Sequence, residues 1–384
     1  MLRAAASRCA GGAIRRLSVA SYSAAAGAWR KPPLDEGDWS YYKEWWGEDD
    51  GPGDGAHTVF RRHSEHGNGV VSVAAYPASI PASDQWPVME RWLQERNLAM
   101  YPESSGADQF KILGYQWRVM RFNDHTRQST AKVMACYRSG GDRALYSMQQ
   151  PNCLAVPYVK SMVSAGLTAL PSCSYDLPRA VSEPNTMKIL CIGHGGGSIP
   201  LFLASKFRGA DVHIVEIDPV VVSASVESMG FPASCAKGLS DHTMQPADGD
   251  ELLWNGVHDR ISLHPVHGTV VVNLHSDSEA SSPDVDDEAP FENVLPMGRY
   301  VSHVCRAYKR HFGLAFTTAS PWLCNITMVA CRDEAMLRGA PVGHSRRDFV
   351  LSKLLSRSGM IERVLDLLPF PCLQYVRNGF TLVE

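Results

Sequence analysis

The residues best suited to chemistry lie between Lys188 and Asp218. Gly193, Gly195, Gly196 and Gly197 follow an apolar run, Ile189 to Ile192, and a second apolar run, Val212 to Ile217, ends among the acids Glu216 and Asp218. Glycines carry no Cβ, so backbone N–H groups and a helix N-terminus can approach a ligand closely, while a carboxylate at the tip of the next strand can accept both hydroxyls of a ribose. The pattern predicts a site for a nucleoside-containing cofactor. The loop reads G-x-G-x-G, and Ser198 stands where a dinucleotide fingerprint wants its third glycine, which tilts the choice from NAD toward S-adenosylmethionine. The candidate cofactor-binding residues are Gly193, His194, Gly195, Gly196, Gly197, Glu216 and Ile217. The competing reading is a glycine-rich turn of an α/β domain with Glu216 merely solvated.

Such a site needs strands and helices to hold it. Ile189 to Ile192 reads as a buried strand ending in a tight turn. A helix follows, with Pro200 tolerated in its first turn and Leu201, Leu203 and Phe207 as its apolar face. Val212 to Ile217 is the next strand; Asp218 can then cap a helix with Pro219 at its first position and Gly230 at its end. Upstream, Val156, Val159, Val163, Leu167 and Leu170 recur at helical spacing, and Pro87 to Asn97 forms a short helix. Trp117, Val119 and Arg121 alternate with Arg118, Met120 and Phe122, and a turn at Asn123-Asp124 returns the chain toward Ala131 to Tyr137. Downstream, Glu251 to Trp254 reads as a short helix, and Asp259 to His264 and Thr269 to Asn273 as strands. Met297, Val301, Val304, Tyr308 and Phe312 form a helical stripe ending at Gly313; Leu314 to Thr318 and Asn325 to Cys331 form a hairpin; Asp348 to Leu368 supplies one or two helices.

Ile192-Gly-His-Gly-Gly-Gly-Ser198 and Val215-Glu-Ile-Asp218 resemble the spermidine-synthase-like branch of the S-adenosylmethionine-dependent methyltransferases, in particular proteins similar to the carboxy-terminal domain of the methyltransferase that modifies elongation factor 1A. The likeness runs from about Tyr158 to Arg332. It implies a Rossmann-like class I methyltransferase fold of α/β type, preceded by a small antiparallel β region. It also implies S-adenosylmethionine as cofactor, with Gly193, Gly195 and Gly197 around its methionine part and Glu216 on its ribose, and methyl transfer to a protein substrate. Tyr158 and Met162 match a Tyr-x-x-x-Met element of the relatives, which makes Tyr158 a candidate ligand contact, with core packing as its other role. Aminopropyl transfer, the polyamine-forming alternative, is disfavoured because true spermidine synthases carry an aspartate in the glycine loop where this chain has Gly196. No residue is assigned as catalytic.

The resemblance also breaks. Only Pro265 to Gly268 separate His264 from Thr269, whereas a parallel crossover needs about a dozen residues. In the relatives this interval holds a fourth strand beside the first, with an aspartate-rich end. The acids Asp284, Asp286, Asp287 and Glu288 fall later, in a Ser/Pro/Asp loop. The central sheet is therefore expected to be incomplete, and a catalytically inactive binding protein is the third functional alternative.

The remaining features bound the answer. A net charge of -3 gives no argument for nucleic acid, and no apolar run approaches the ~18 residues of a spanning helix. The cysteines lack a C-x-x-C pair, and His264, His267 and His275 lack ligand-spaced partners, so neither a disulfide framework nor a metal site is expected. Residues 1–33 are rich in Arg, Ala and Ser without an acid, which is transit-peptide composition, for the mitochondrion first and the plastid second. The expected organisation is thus a transit peptide over 1–33, an aromatic and acidic low-order segment over 34–105 containing Trp39, Tyr41, Tyr42, Trp45 and Trp46, the β region over 106–150, and the methyltransferase-like domain over 151–384.

Overall fold

The computed structural model describes residues 2–4, 57–77, 86–100, 109–139 except 125, 145–235 except 185 and 186, 268–275, and 297–384 except 321–324, 342, 344, 364, 366 and 369. The elements in chain order are β1 (Leu2–Ala4), β2 (His57–His63), β3 (Val70–Pro77), α1 (Trp86–Met100), β4 (Gln109–Phe122), β5 (Thr126–Ser139), β6 (Leu145–Gln149), α2 (Pro157–Ser172) and α3 (Leu177–Ser182). They continue as β7 (Met187–Ile192), α4 (Ser198–Lys206), β8 (Ala210–Val215), α5 (Pro219–Ser228), β9 (Thr269–His275), α6 (Arg299–Phe312), β10 (Gly313–Ala319) and β11 (Asn325–Arg332). The chain closes with α7 (Asp333–Met336), α8 (Arg346–Arg363), α9 (Cys372–Arg377) and β12 (Thr381–Leu382). The expected targeting segment apart from β1, the aromatic cluster, the Glu251–Trp254 helix, the Asp259–His264 strand and the acidic loop at Asp284 lie outside the described residues.

Two compact units form, one from Met1–Ala155 with Arg179–Asp241 and the other from Val156–Pro178 with His242–Glu384. This differs from the expected boundary near residue 150. In the first unit, strand order β2-β3-β4-β5-β6 makes an antiparallel sheet. It begins at His57, so the stretch expected to be of low order carries two strands and α1. Its signal was weak because β2 buries only Phe60, leaving no alternation to read. β4 and β5 are joined as expected through Asn123 (φ 52°) and Asp124 (φ 62°), residue types that tolerate the left-handed region.

One face of that sheet, with Phe60, Val71, Val73, Met120, Ala131 and Val133, packs against Val221, Ala224 and Met229 at α5. The glycine-turn segment thereby joins the β region in one core. The other face receives Leu93 of α1 on Phe110, Ile112 and Met134. β7 and β8 pair in parallel, Met187 opposite Ala210 through Ile192 opposite Val215, and β1 pairs antiparallel with β8. Among the described residues the sheet order is β1-β8-β7, with β7 at one side.

The second unit holds a sheet of order β12-β10-β11-β9. The expected β10–β11 hairpin is present, with Gly313 opposite Arg332. α6 lays Val301, Cys305 and Phe312 on one sheet face, and α2 lies on the other, where Gly166 admits the Val271 side chain. Both helices follow the apolar spacing expected of them, and α6 ends at Gly313 with φ 91°. The architecture is α/β with a preceding antiparallel region, as expected. No helix among the described residues is long and apolar enough to cross a membrane.

Candidate functional site

β7 delivers the chain to the glycine turn, and each glycine there has its own physical reason. Gly193 takes φ 83°, Gly195 52° and Gly197 77°, conformations that side chains rarely adopt. A Cβ on Gly196 would lie 2.6 Å from Met229 Cε and 2.7 Å from Ser129 Oγ, and one on Gly197 would lie 2.3 Å from Phe231 Cδ2. These two glycines are therefore small because the turn is pressed against α5's end and β5. Gly193 is different. A Cβ there would meet nothing within 4 Å, so its backbone borders open space from which a ligand can approach.

Glu216 sits just past the end of β8 and closes on the turn. Its Oε2 accepts from His194 N–H at 2.7 Å and its Oε1 from Asp218 N–H at 3.0 Å. Gly193 N–H donates to Val215 O at 2.8 Å, which ties the two strand ends together. A carboxylate oxygen has two acceptor directions, so each oxygen of Glu216 keeps one for a further donor. Beyond the turn, α4 starts on Gly197 without a side-chain cap. Pro200 removes one first-turn N–H, and those of Ser198 and Ile199 are left at the positive end of the helix dipole. Uncapped donors, open space at Gly193 and spare carboxylate lone pairs fit the carboxylate and ribose groups of a nucleoside–amino acid conjugate.

His194 is placed otherwise than a ligand contact. Its imidazole is 6% exposed and meets Phe231 edge-on at 4.6 Å between centroids. Nε2 lies 2.6 Å from Ser225 Oγ, which gives its own proton to Val222 O. Ser225 must therefore accept, so Nε2 carries the imidazole proton and Nδ1 is left as a buried acceptor without a partner. Burial pushes the imidazole down to about 4, so the ring is neutral at ordinary pH. His194 contributes through its backbone to the turn and through its ring to α5.

Asp218 caps α5 as expected, accepting from Val220 N–H at 2.8 Å, and also accepts from Asn68 Nδ2 at 2.6 Å. Burial pushes its carboxyl upward, but bonds from Ser64, Asn68 and Val220 outweigh that and hold it below the usual range. The β2–β3 connection thus grips the chain where it leaves β8. Ile217, beside Glu216, is 59% exposed, an apolar surface next to the carboxylate.

Gln149 escaped the sequence reading. It donates through Nε2 to Gly196 O at 2.9 Å and lies 3.3 Å from Ser198 Oγ, pinning the turn from β6, while its Oε1 is buried without a partner. Nothing local in Met148-Gln-Gln-Pro151 signals this. Tyr158 belongs to the second unit, and burial pushes its hydroxyl up to about 12. The cysteines of the described residues are not in disulfides and are mostly buried; His275 is exposed at the end of β9, and His264 and His267 lie outside the described residues.

No protein-family model matches the chain. It is 35% identical over 81 residues to the eEF1A lysine and N-terminal methyltransferase of Bos taurus, a match covering 21% of this chain and 11% of that protein. The chain thus spans about a tenth of the length of the curated relative it matches. Among solved structures, human methyltransferase-like protein 13 in complex with SAH aligns at TM-score 0.33 and 18% identity, over 55% of this chain and 92% of that one. A probable spermidine synthase from Corynebacterium glutamicum aligns at TM-score 0.35 and 14% identity, over 65% and 85%. At these scores the two structures carry no argument. The sequence match agrees with the resemblance carried by the glycine turn and Glu216.

Proposed function

We propose, from kinship with the spermidine-synthase-like S-adenosylmethionine-dependent methyltransferases, that this chain binds S-adenosylmethionine at the Gly193–Gly197 turn and directs its methyl group to a protein. The observation that carries the reading is Glu216, held at the strand end with one acceptor direction free on each oxygen, opposite a turn whose Gly193 borders open space. In this reading Glu216 holds the ribose hydroxyls, Ile217 packs beside them, and the first-turn N–H groups of α4 face the carboxylate of the methionine part. The bound group supplies an activated methyl on a sulfonium. The chain's part is to hold that group in line with an acceptor, which by itself can account for much of such a rate.

Protein as the acceptor class is supported by the relative named for modifying eEF1A. Aminopropyl transfer is opposed by the packing at residue 196, where a side chain would run into Met229 and Ser129. Mitochondrial targeting rests on the composition of residues 1–33, and import of a fusion of that stretch to a fluorescent protein tests it.

The cofactor assignment is tested by thermal unfolding of the full chain with S-adenosylmethionine, with Glu216→Ala as control. At 100 times the dissociation constant, ligand stabilises the native state by about 2.7 kcal/mol. A shift lost in the control supports the site. A cooperative transition that ligand leaves unmoved sinks it and favours a folded binding protein without cofactor.

A further inference from the structure

The outward face of α6 carries charge that nothing in the cofactor reading uses. Arg299, His303, Arg306 and Arg310 recur at four-, three- and four-residue steps, so they form one row along the helix, and all four are exposed. The helix contains no Asp or Glu. Among the described residues, Arg299, Arg306, Lys309 and Arg310 have no ion pair. The opposite face is committed to the sheet through Val301, Cys305 and Phe312, so the charged row faces away from the core.

Helix stability does not account for this row. Lys309, Arg310 and His311 suit the negative end of the helix dipole, but Arg299 opens the helix, where a cation is unfavourable. Like charges four apart, Arg306 and Arg310, also repel. Beside the C-terminal half of the row lies a cavity of about 370 Å³ lined by His303, Arg306, Lys309, Arg310 and Glu384.

We propose that this face of α6 is a docking surface for an acidic, extended stretch of another polypeptide. From Arg299 to Arg310 the row measures roughly 16 Å at 1.5 Å per residue, which about five extended residues span. Carboxylates on such a strand would meet the row of cations. Glu384 selects between polyanions: its carboxylate can accept the N–H groups of a peptide backbone, whereas a phosphodiester backbone sets a negative charge against it at every unit. Among the described residues this helix face also lacks the series of stacked aromatics that single-stranded nucleic acid uses; of the aromatics of α6, Tyr300 is exposed.

The test is fluorescence anisotropy of the full chain with a labelled peptide of alternating Glu and Gly, its Gln counterpart, and labelled polyuridine. The Glu peptide is expected to bind, to weaken steeply between low and physiological salt, and to lose at least tenfold in affinity with Arg299→Gln, Arg306→Gln and Arg310→Gln combined. An unchanged melting temperature for that variant shows that the fold is retained; if it melts early, Arg306→Lys with Arg310→Lys must keep binding and the single Arg→Gln changes must each weaken it. Equal binding of the Gln peptide, indifference to the substitutions, or tighter binding of polyuridine overturns the proposal. The acid-rich stretch around Asp284, Asp286, Asp287 and Glu288 is a tethered rival. If changing these to Asn and Gln leaves peptide affinity unaltered, the partner is external; a tenfold gain means that the chain's own acids occupy the face, and overturns the assignment to another polypeptide.

Discussion

Gly193 and Gly197 both have positive φ, yet their surroundings predict different consequences for the same substitution. Gly193→Ala meets no atom, so its cost is backbone strain of about 1 kcal/mol, and its main expected effect is weaker S-adenosylmethionine binding, measured by calorimetry. Gly197→Ala adds a collision with Phe231 and should cost about 3 kcal/mol, seen in denaturant unfolding. Equal losses of stability in the two variants would contradict the assignment of only one to the ligand side. His194 yields a pH dependence. Its folded value of about 4 lies below the ordinary 6.5, so the unfolded chain takes the proton first as pH falls. Its contribution is complete above 6.5 and is lost as pH drops toward 4, by about 3 kcal/mol over the window. His194→Leu should flatten that slope in unfolding measured from pH 7 to pH 4; an unchanged slope would assign it elsewhere.

At the level of elements, α5 joins β8 to the β region, and Asp218 sits at that junction. It caps the helix and holds Asn68 of the β2–β3 connection. Asp218→Ala should cost about 2 kcal/mol, while Asp218→Asn, still able to cap, should recover about half. Equal losses would mean that charge dominates over capping. The Asp218-Pro219 signal for this helix was plain in the chain because capping is local. The same holds for the α2 and α6 stripes and for the Asn123-Asp124 turn. The β2–β3 strands were not legible, since β2 presents one buried side chain and β3 is buried on residues of both faces, so neither alternates.

At the scale of the whole molecule, β7 and β8 are the parallel pair among the described residues, and Leu190, Ile192 and Ile217 are 38%, 50% and 59% exposed. Exposed apolar side chains grouped at the strand ends favour association. Ile192→Asp with Ile217→Asp should lower binding of a hydrophobic fluorescent dye and raise the concentration at which the chain aggregates; unchanged dye binding would place the sticky surface elsewhere. By itself, the sequence determined the glycine turn, the acidic strand end after it and the helices flanking them, because glycine conformation, capping and 3.6-residue periodicity are set by neighbours a few positions away. Tertiary structure alone decided what those residues touch. Residues far apart in the chain brought Gln149 and Ser129 to the turn, turned the His194 ring toward Ser225, and gave the glycine segment a shared core with an antiparallel sheet that begins at His57. Such contacts depend on how faces pack, and no local pattern encodes them.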